Sequence, residues 1–184
     1  MTKTAVITGS AAGLGKGIAQ RLANDGFNIV IQDINQKALE KTEQEFKENG
    51  YNVVAFHSDV SKKKEQEELV QFAVAEFGQI DVFVNNAGVD AVSPILDITE
   101  GITVNAYCPG VAKTEMWDRI DAEMVKLDSN LKPGEAFEQF SSAIKLGRYQ
   151  EPQDVASLVS FLASSDSDYI TGQAILTDGG LVYR

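Results

Sequence analysis

Residues 4 to 22 read TAVITGSAAGLGKGIAQRL. The β-branched run Thr4 to Thr8 has the composition of a strand, Gly9, Gly13 and Gly15 follow it, and Leu14, Ile18 and Leu22 recur at four-residue spacing on one helix face. A strand, a glycine turn and a helix are therefore expected in succession. The same alternation continues: a strand over Asn28 to Gln32, a helix over Lys37 to Glu48 capped by Asn35, and a strand over Asn52 to Phe56. Ser61 reads as the cap of a helix bearing Leu69, Phe72, Ala73 and Phe77, and a fourth strand covers Ile80 to Asn85. With short links and no hairpin signals, each strand must return parallel to the last through a right-handed crossover, which predicts an α/β, doubly wound, Rossmann-like sheet. Beyond it come a fifth strand over Ile102 to Tyr107, helical pieces from Glu115 to about Ile144, a helix opened by Glu151-Pro152 and running to Leu162, and a last strand over Ala174 to Thr177.

At 184 residues, 43% apolar and 23% charged, the chain has the size and make-up of a single globular domain, residues 1–184. Sixteen basic residues against 27 acidic give a net charge of −11, which repels phosphate backbones and argues against nucleic acid as a partner. Cys108 and His57 are the only residues of their types, so neither a disulfide framework nor a metal cluster can be written. The N-terminus lacks the pattern of a signal peptide, and no apolar run approaches the ~18 residues of a membrane span. A cytoplasmic location without membrane attachment is the expectation.

A glycine turn between the first strand and first helix allows positive φ and close backbone approach, while the helix N-terminus offers amide donors to a pyrophosphate. Asp33, twenty residues after Gly13 at the end of the second strand, stands where an acid accepts hydrogen bonds from an adenosine ribose. A 2′-phosphate would meet that carboxylate, and neither Ala12 nor Ile34 offers a compensating cation, so NAD is favoured over NADP. The competing reading is that Asp33 only holds the turn before the second helix.

Four motifs then follow in order: TGSAAGLG, Asp59-Val60, NNAG at Asn85 to Gly88, and PGVAKT at Pro109 to Thr114. Together they resemble the short-chain dehydrogenase/reductase family. Within it, the opening AVITGSAAGLGKGIA and the late KLGRYQEPQDVASLVSFLASSDSDYITGQAILTDGG are most similar to the acetoin and diacetyl reductase, 2,3-butanediol dehydrogenase group. The resemblance implies that Gly9, Gly13, Leu14 and Gly15 hold the pyrophosphate, Asp33 the ribose, and Asp59 and Val60 the adenine. By the same resemblance Asn86, Ala87 and Gly88 line the groove beside the ribose, and Pro109, Gly110, Val111 and Thr114 receive the nicotinamide half. Met116, Trp117, Ile120 and Met124 fall where the family has a substrate lid, although a stripe at that spacing packs a core equally well. A small carbonyl or diol substrate and a homo-oligomer, a tetramer in the family, are also implied. A 3-oxoacyl thioester or a sugar alcohol is the alternative substrate.

The family protonates its substrate with a Tyr whose pKa is lowered by a Lys four residues on, assisted by a Ser. None of the five tyrosines here, Tyr51, Tyr107, Tyr149, Tyr169 and Tyr183, has a Lys at that spacing. No catalytic residue of the family type is present. In the family these residues lie between NNAG and the PG turn, on two helices and a strand. Elements of ~11 and ~5 residues exceed the twenty residues available between Gly88 and Pro109. The segment is expected to be missing at a seam between Glu100 and Gly101. Three explanations stand beside one another: a block absent from the sequence but present in the protein, a true deletion leaving a dinucleotide-binding remnant, or transfer of proton delivery to another residue such as Lys113. A deletion leaves either a gap beside the fourth strand or a shift of the strand after it into that place.

Overall fold

The computed structural model describes residues 2–88, 102–128 and 130–182. Its first half is β1 (Thr4–Thr8), α1 (Gly13–Asn24), β2 (Asn28–Asp33), α2 (Gln36–Glu48), β3 (Val53–His57), α3 (Lys63–Phe77) and β4 (Val82–Val84). The four strands form one parallel sheet in the order β3-β2-β1-β4, so the winding reverses between β1 and β4. In a sheet of this kind the reversal opens a crevice at the carboxyl ends of those strands.

One face of the sheet carries Ala5, Ile7, Ile29, Ile31, Val53 and Val84, all buried, against Ile18 and Leu22 of α1 and Leu39 and Phe46 of α2. On the other face Val6 and Val30 meet Leu69 and Ala73 of α3. Each fully buried Leu, Ile or Phe contributes about 1.5–3 kcal/mol of transfer free energy, which is why the alternating pattern of these strands fixes which face is which.

The second half comprises β5 (Ala106–Pro109), α4 (Glu115–Leu127), α5 (Glu135–Ser142), α6 (Pro152–Leu162) and β6 (Ala174–Thr177). Strands β5 and β6 pair in parallel with each other as a separate two-stranded sheet. Of the two outcomes foreseen for a missing strand, the gap beside β4 is the one observed among the described residues. Helix α6 docks the second half onto the first: Val155, Ala156 and Val159 join the α1 face of the core. Gly17 lets α1 approach so closely that a Cβ there would lie 2.7 Å from the Pro152 Cβ.

Several boundaries differ from expectation. The strand foreseen over Ile102 to Tyr107 starts only at Ala106, because the Val104 amide donates to Thr171 Oγ1 (3.1 Å) and Asn105 Nδ2 to the Ile170 carbonyl (2.9 Å). Those bonds hold residues 104–105 against a turn instead of a ladder. Strand β4 is shorter than Ile80 to Asn85, since the Asn86 amide folds back onto the Thr8 hydroxyl (3.1 Å). Ser61 does not cap α3; that position is Lys62, and the Ser61 hydroxyl donates to Asp59 Oδ1 (2.7 Å). The proposed seam, with Val89 to Gly101 around it, lies outside the described residues.

Candidate dinucleotide site

The crevice is built from the glycine turn outward. Gly9 and Gly13 have φ of 62° and 58°, the left-handed region that side chains rarely adopt. A Cβ on Gly9 would lie 2.8 Å from the Ala87 Cα, and one on Gly15 would run into the Gly9 carbonyl and the Asn86 amide. The turn is therefore packed directly against NNAG. Helix α1 opens at Gly13 with Ala12 as its cap, without a side-chain cap bond and without an acid in its first turn. Its leading amides, on Gly13, Leu14 and Gly15, are thus left unclaimed by side chains, a donor set suited to a phosphate group. Thr114 closes the other side, its γ-methyl 3.8 Å from where a Gly13 Cβ would sit. TGSAAGLG and PGVAKT, a hundred residues apart, face each other.

Asp33 ends β2, with Oδ2 accepting from the Ala11 amide (3.1 Å) and Oδ1 from the Asn35 amide (2.9 Å). The turn-holding role is thus present, and lone pairs remain on both oxygens. Beside it a groove of about 370 Å³ is lined by Ile34, Phe56, His57, Ser58 and Asp59, with Lys62, Glu65 and Glu68 at its edge. Asp59 accepts from the Ser61 hydroxyl and amide, bonds that hold its carboxyl below the usual range. The Val60 carbonyl accepts from Gln66 Nε2 (2.6 Å). His57 Nε2 lies 3.1 Å from the Ile34 carbonyl.

Asn86 is the knot of the cleft. Its Nδ2 donates to the Thr8 and Gly9 carbonyls (both 3.0 Å), while its Oδ1 accepts from the Tyr107 hydroxyl (2.9 Å). The Ala87 amide donates to Thr8 Oγ1 (3.1 Å), and Gly88 is open to solvent. Pro109 and Gly110 continue into a turn in which Val111 is buried and the Gly110 amide donates to the Thr177 carbonyl (3.2 Å).

Three structural members of the site were not singled out from the sequence. Buried Gln32 donates through Nε2 to the Ser58 carbonyl and accepts at Oε1 from the Gly9 amide (3.3 Å), linking three strand ends. Thr8 and Tyr107 hold NNAG. Only Gln32 left a signal, a lone amide side chain among β-branched residues that burial obliges to find partners.

The lid candidates divide. Trp117 packs on Phe137 and Phe140 of α5, with ring centroids 5.7 and 5.4 Å away, while Met116 is exposed. Asp121 on α4 is buried and accepts from the amides of Gly134 (2.6 Å), Ala136 (3.1 Å) and Phe137 (3.3 Å), so one helix caps the next. Asp121→Ala is expected to cost about 1–2 kcal/mol, read as a lower denaturation midpoint with the α4–α5 pair opening first in hydrogen exchange. Uniform protection along both helices in the variant would contradict that.

Two described side chains bear on proton delivery, Tyr107 and Lys113. Burial pushes the Tyr107 phenol up to about 12, far from the neutral range useful to a general acid. Lys113 lies with its Nζ over the Tyr149 ring, 5.4 Å from the centroid. Among the described residues no group of His, Cys, Asp or Glu could hold a metal ion, and no helix is long and apolar enough to cross a membrane.

Residues 3–101 match the family model described as short chain dehydrogenase, and residues 98–182 match that described as Enoyl-(Acyl carrier protein) reductase. The chain is 59% identical to a diacetyl reductase, (S)-acetoin forming, of Staphylococcus epidermidis over 257 positions covering 100% of both chains. It is 33% identical to the L-2,3-butanediol dehydrogenase of Corynebacterium glutamicum over 260 positions, again covering 100% of each. Because 184 residues are spread over the 257 positions of the first alignment, 73 positions have no counterpart here. Among solved structures, an actinorhodin polyketide ketoreductase with NADPH superposes with a TM-score of 0.87 at 23% identity, over 98% of this chain and 97% of the other, a likeness of fold.

Proposed function

From a chain that belongs to the short chain dehydrogenase family, we propose an NAD-dependent oxidoreductase of the diacetyl reductase or 2,3-butanediol dehydrogenase type, acting on a small diketone, hydroxyketone or diol. The observation that carries this reading is 59% identity to a diacetyl reductase over an alignment that reaches both ends of each chain. A bound reduced nicotinamide supplies the hydride. This chain's part is to hold it: the α1 amides on the pyrophosphate, Asp33 on the ribose, Ile34, Asp59 and Val60 around the adenine, and the turn from Pro109 to Thr114 on the nicotinamide half.

The proton is the missing half of the chemistry. The two family models meet at residues 98–101, and the 73 unmatched positions have to be accommodated within a continuous alignment. The meeting of the models supports a seam at Glu100-Gly101, and the unmatched positions are enough to hold the Ser, Tyr and Lys of the family, which we take to be lost there. The 184-residue chain then binds the cofactor and lacks the group that protonates the carbonyl oxygen. In the same reading it works in the cytoplasm as a homo-oligomer, which sedimentation of the purified protein tests.

Intact mass of the protein purified from the cell that makes it, followed by NADH titration, decides the matter. A mass of 19.9 kDa with saturable NADH binding supports the reading; that mass without NADH binding sinks it. A mass several kilodaltons larger would place the missing block in the protein and restore full turnover.

Cofactor choice rests on Asp33. Asp33→Ala is expected to weaken NADH binding about tenfold or more, the loss of hydrogen bonds to a charged acceptor, and to leave NADPH unchanged or tighter. Parallel weakening of both cofactors would return Asp33 to the role of turn holder.

A further inference from the structure

The turn at Pro109 to Lys113 is held by β6 at its start and by Gln150 along the rest of its length. Gln150 is 8% exposed and donates its amide to the Val111 carbonyl (2.8 Å), while its own carbonyl accepts from the Lys113 amide (3.1 Å). Between these bonds Ala112 and Gln150 form an isolated parallel bridge. The Gln150 side chain reaches further, donating from Nε2 to the Thr177 carbonyl, the same oxygen that receives the Gly110 amide. One residue thus ties Gly110, Val111 and Lys113 together, the first through a shared acceptor on β6.

Two atoms beside this lattice are anomalous. Gln150 Oε1 and Thr177 Oγ1 are buried without a hydrogen-bond partner among the described residues. A buried polar atom left unpaired costs about 1–3 kcal/mol, and native proteins keep few of them unless something else pairs with them. A glutamine used only to pack this position would be replaceable by an apolar side chain of the same shape at a gain.

We infer that Gln150 is a positioning residue for the nicotinamide half of the cofactor, setting the spacing of the Gly110 to Lys113 backbone on which that half docks. The inference rests on the dinucleotide reading above. Because Gln150 acts on the second lip of the crevice, its effect separates from that of the glycine turn. ADP-ribose uses only the first lip, whereas NADH uses both.

The test titrates the full chain and Gln150→Met with NADH and with ADP-ribose. Methionine keeps the length and the backbone bonds and removes both polar ends. NADH binding is expected to weaken about tenfold, the worth of one ordinary hydrogen bond, while ADP-ribose stays within about twofold. Unchanged NADH binding, or equal weakening of both ligands, would overturn the assignment and leave Gln150 a structural residue. Should Gln150→Met fail to fold, Gln150→Asn keeps the amide but withdraws it by one methylene, and the same split is expected. An unmodified chain that binds neither ligand overturns the dinucleotide reading and this inference with it; one that binds both while the variants show no split overturns this inference alone.

Discussion

At its sequence mass of 19.9 kDa, the purified protein is expected to oxidise NADH with diacetyl at least about 10³-fold more slowly than the 59%-identical Staphylococcus epidermidis diacetyl reductase, with saturable NADH binding as the proposed function requires. A positioned general acid accounts for about 10²–10⁴ in rate, and loss of the groups that orient the carbonyl adds to it. The described tyrosines are otherwise engaged or misplaced. Tyr51 donates to Asn24 Oδ1 (2.6 Å) and Tyr107 to Asn86, Tyr149 stacks against Phe137, and Tyr169 is wholly exposed on the surface. None is followed by a lysine four residues on, so none reproduces the Tyr and Lys pairing of the family. The assay is NADH absorbance against diacetyl, with the mass of the same sample confirmed. Turnover near that of the relative at 19.9 kDa would show that another group delivers the proton.

Gly9→Val will carry the second large effect, because the position fails a side chain twice. Its φ of 62° is strained for any residue with a Cβ, and the added carbon would lie 2.8 Å from the Ala87 backbone. Left-handed strain and overpacking each cost about 1–3 kcal/mol, so a combined loss on the order of 3 kcal/mol is expected. For a chain of this size that lowers the melting temperature by roughly 6–12 °C. NADH binding should fall beyond detection, since the α1 amides and NNAG are both displaced. Gly26→Val serves as the control: its φ of 89° carries the same strain, but nothing lies within 4 Å of its Cβ. That variant should lose stability and keep the cofactor. Equal loss of binding in both would mean that the close approach to Ala87 is unimportant.

The parts of the molecule legible from sequence share one property: their causes are local. Helix α6 begins at Pro152 as foreseen, because Glu151 and Asp154 form a capping box around a proline in the first turn. Leu39, Phe46, Leu69 and Ala73 are buried as their helical spacing requires. The glycine turn was legible because Gly9 and Gly13 occupy left-handed φ. Strand β5 was misplaced for the opposite reason. ITVNAY is as strand-like in composition as any run in the chain, but the ladder starts where β6 supplies partners, and it includes Pro109, tolerated where no ladder amide is required of it. Thr8, Tyr107 and Gln150 escaped notice because their significance lies in what stands opposite them, twenty to eighty residues away in the chain.

By itself, then, the sequence determined the winding of the first four strands, the order of the cleft motifs and the want of a Tyr-x-x-x-Lys pair. Those follow from residue spacing along one chain and from backbone angles that only glycine adopts freely. Tertiary structure alone decided that β5 and β6 pair apart from the main sheet, that α6 fastens them to α1, and that Asn86 closes the cleft through Tyr107. Such pairings are set by which buried donors and acceptors meet across space, and a meeting of that kind leaves no period in the sequence.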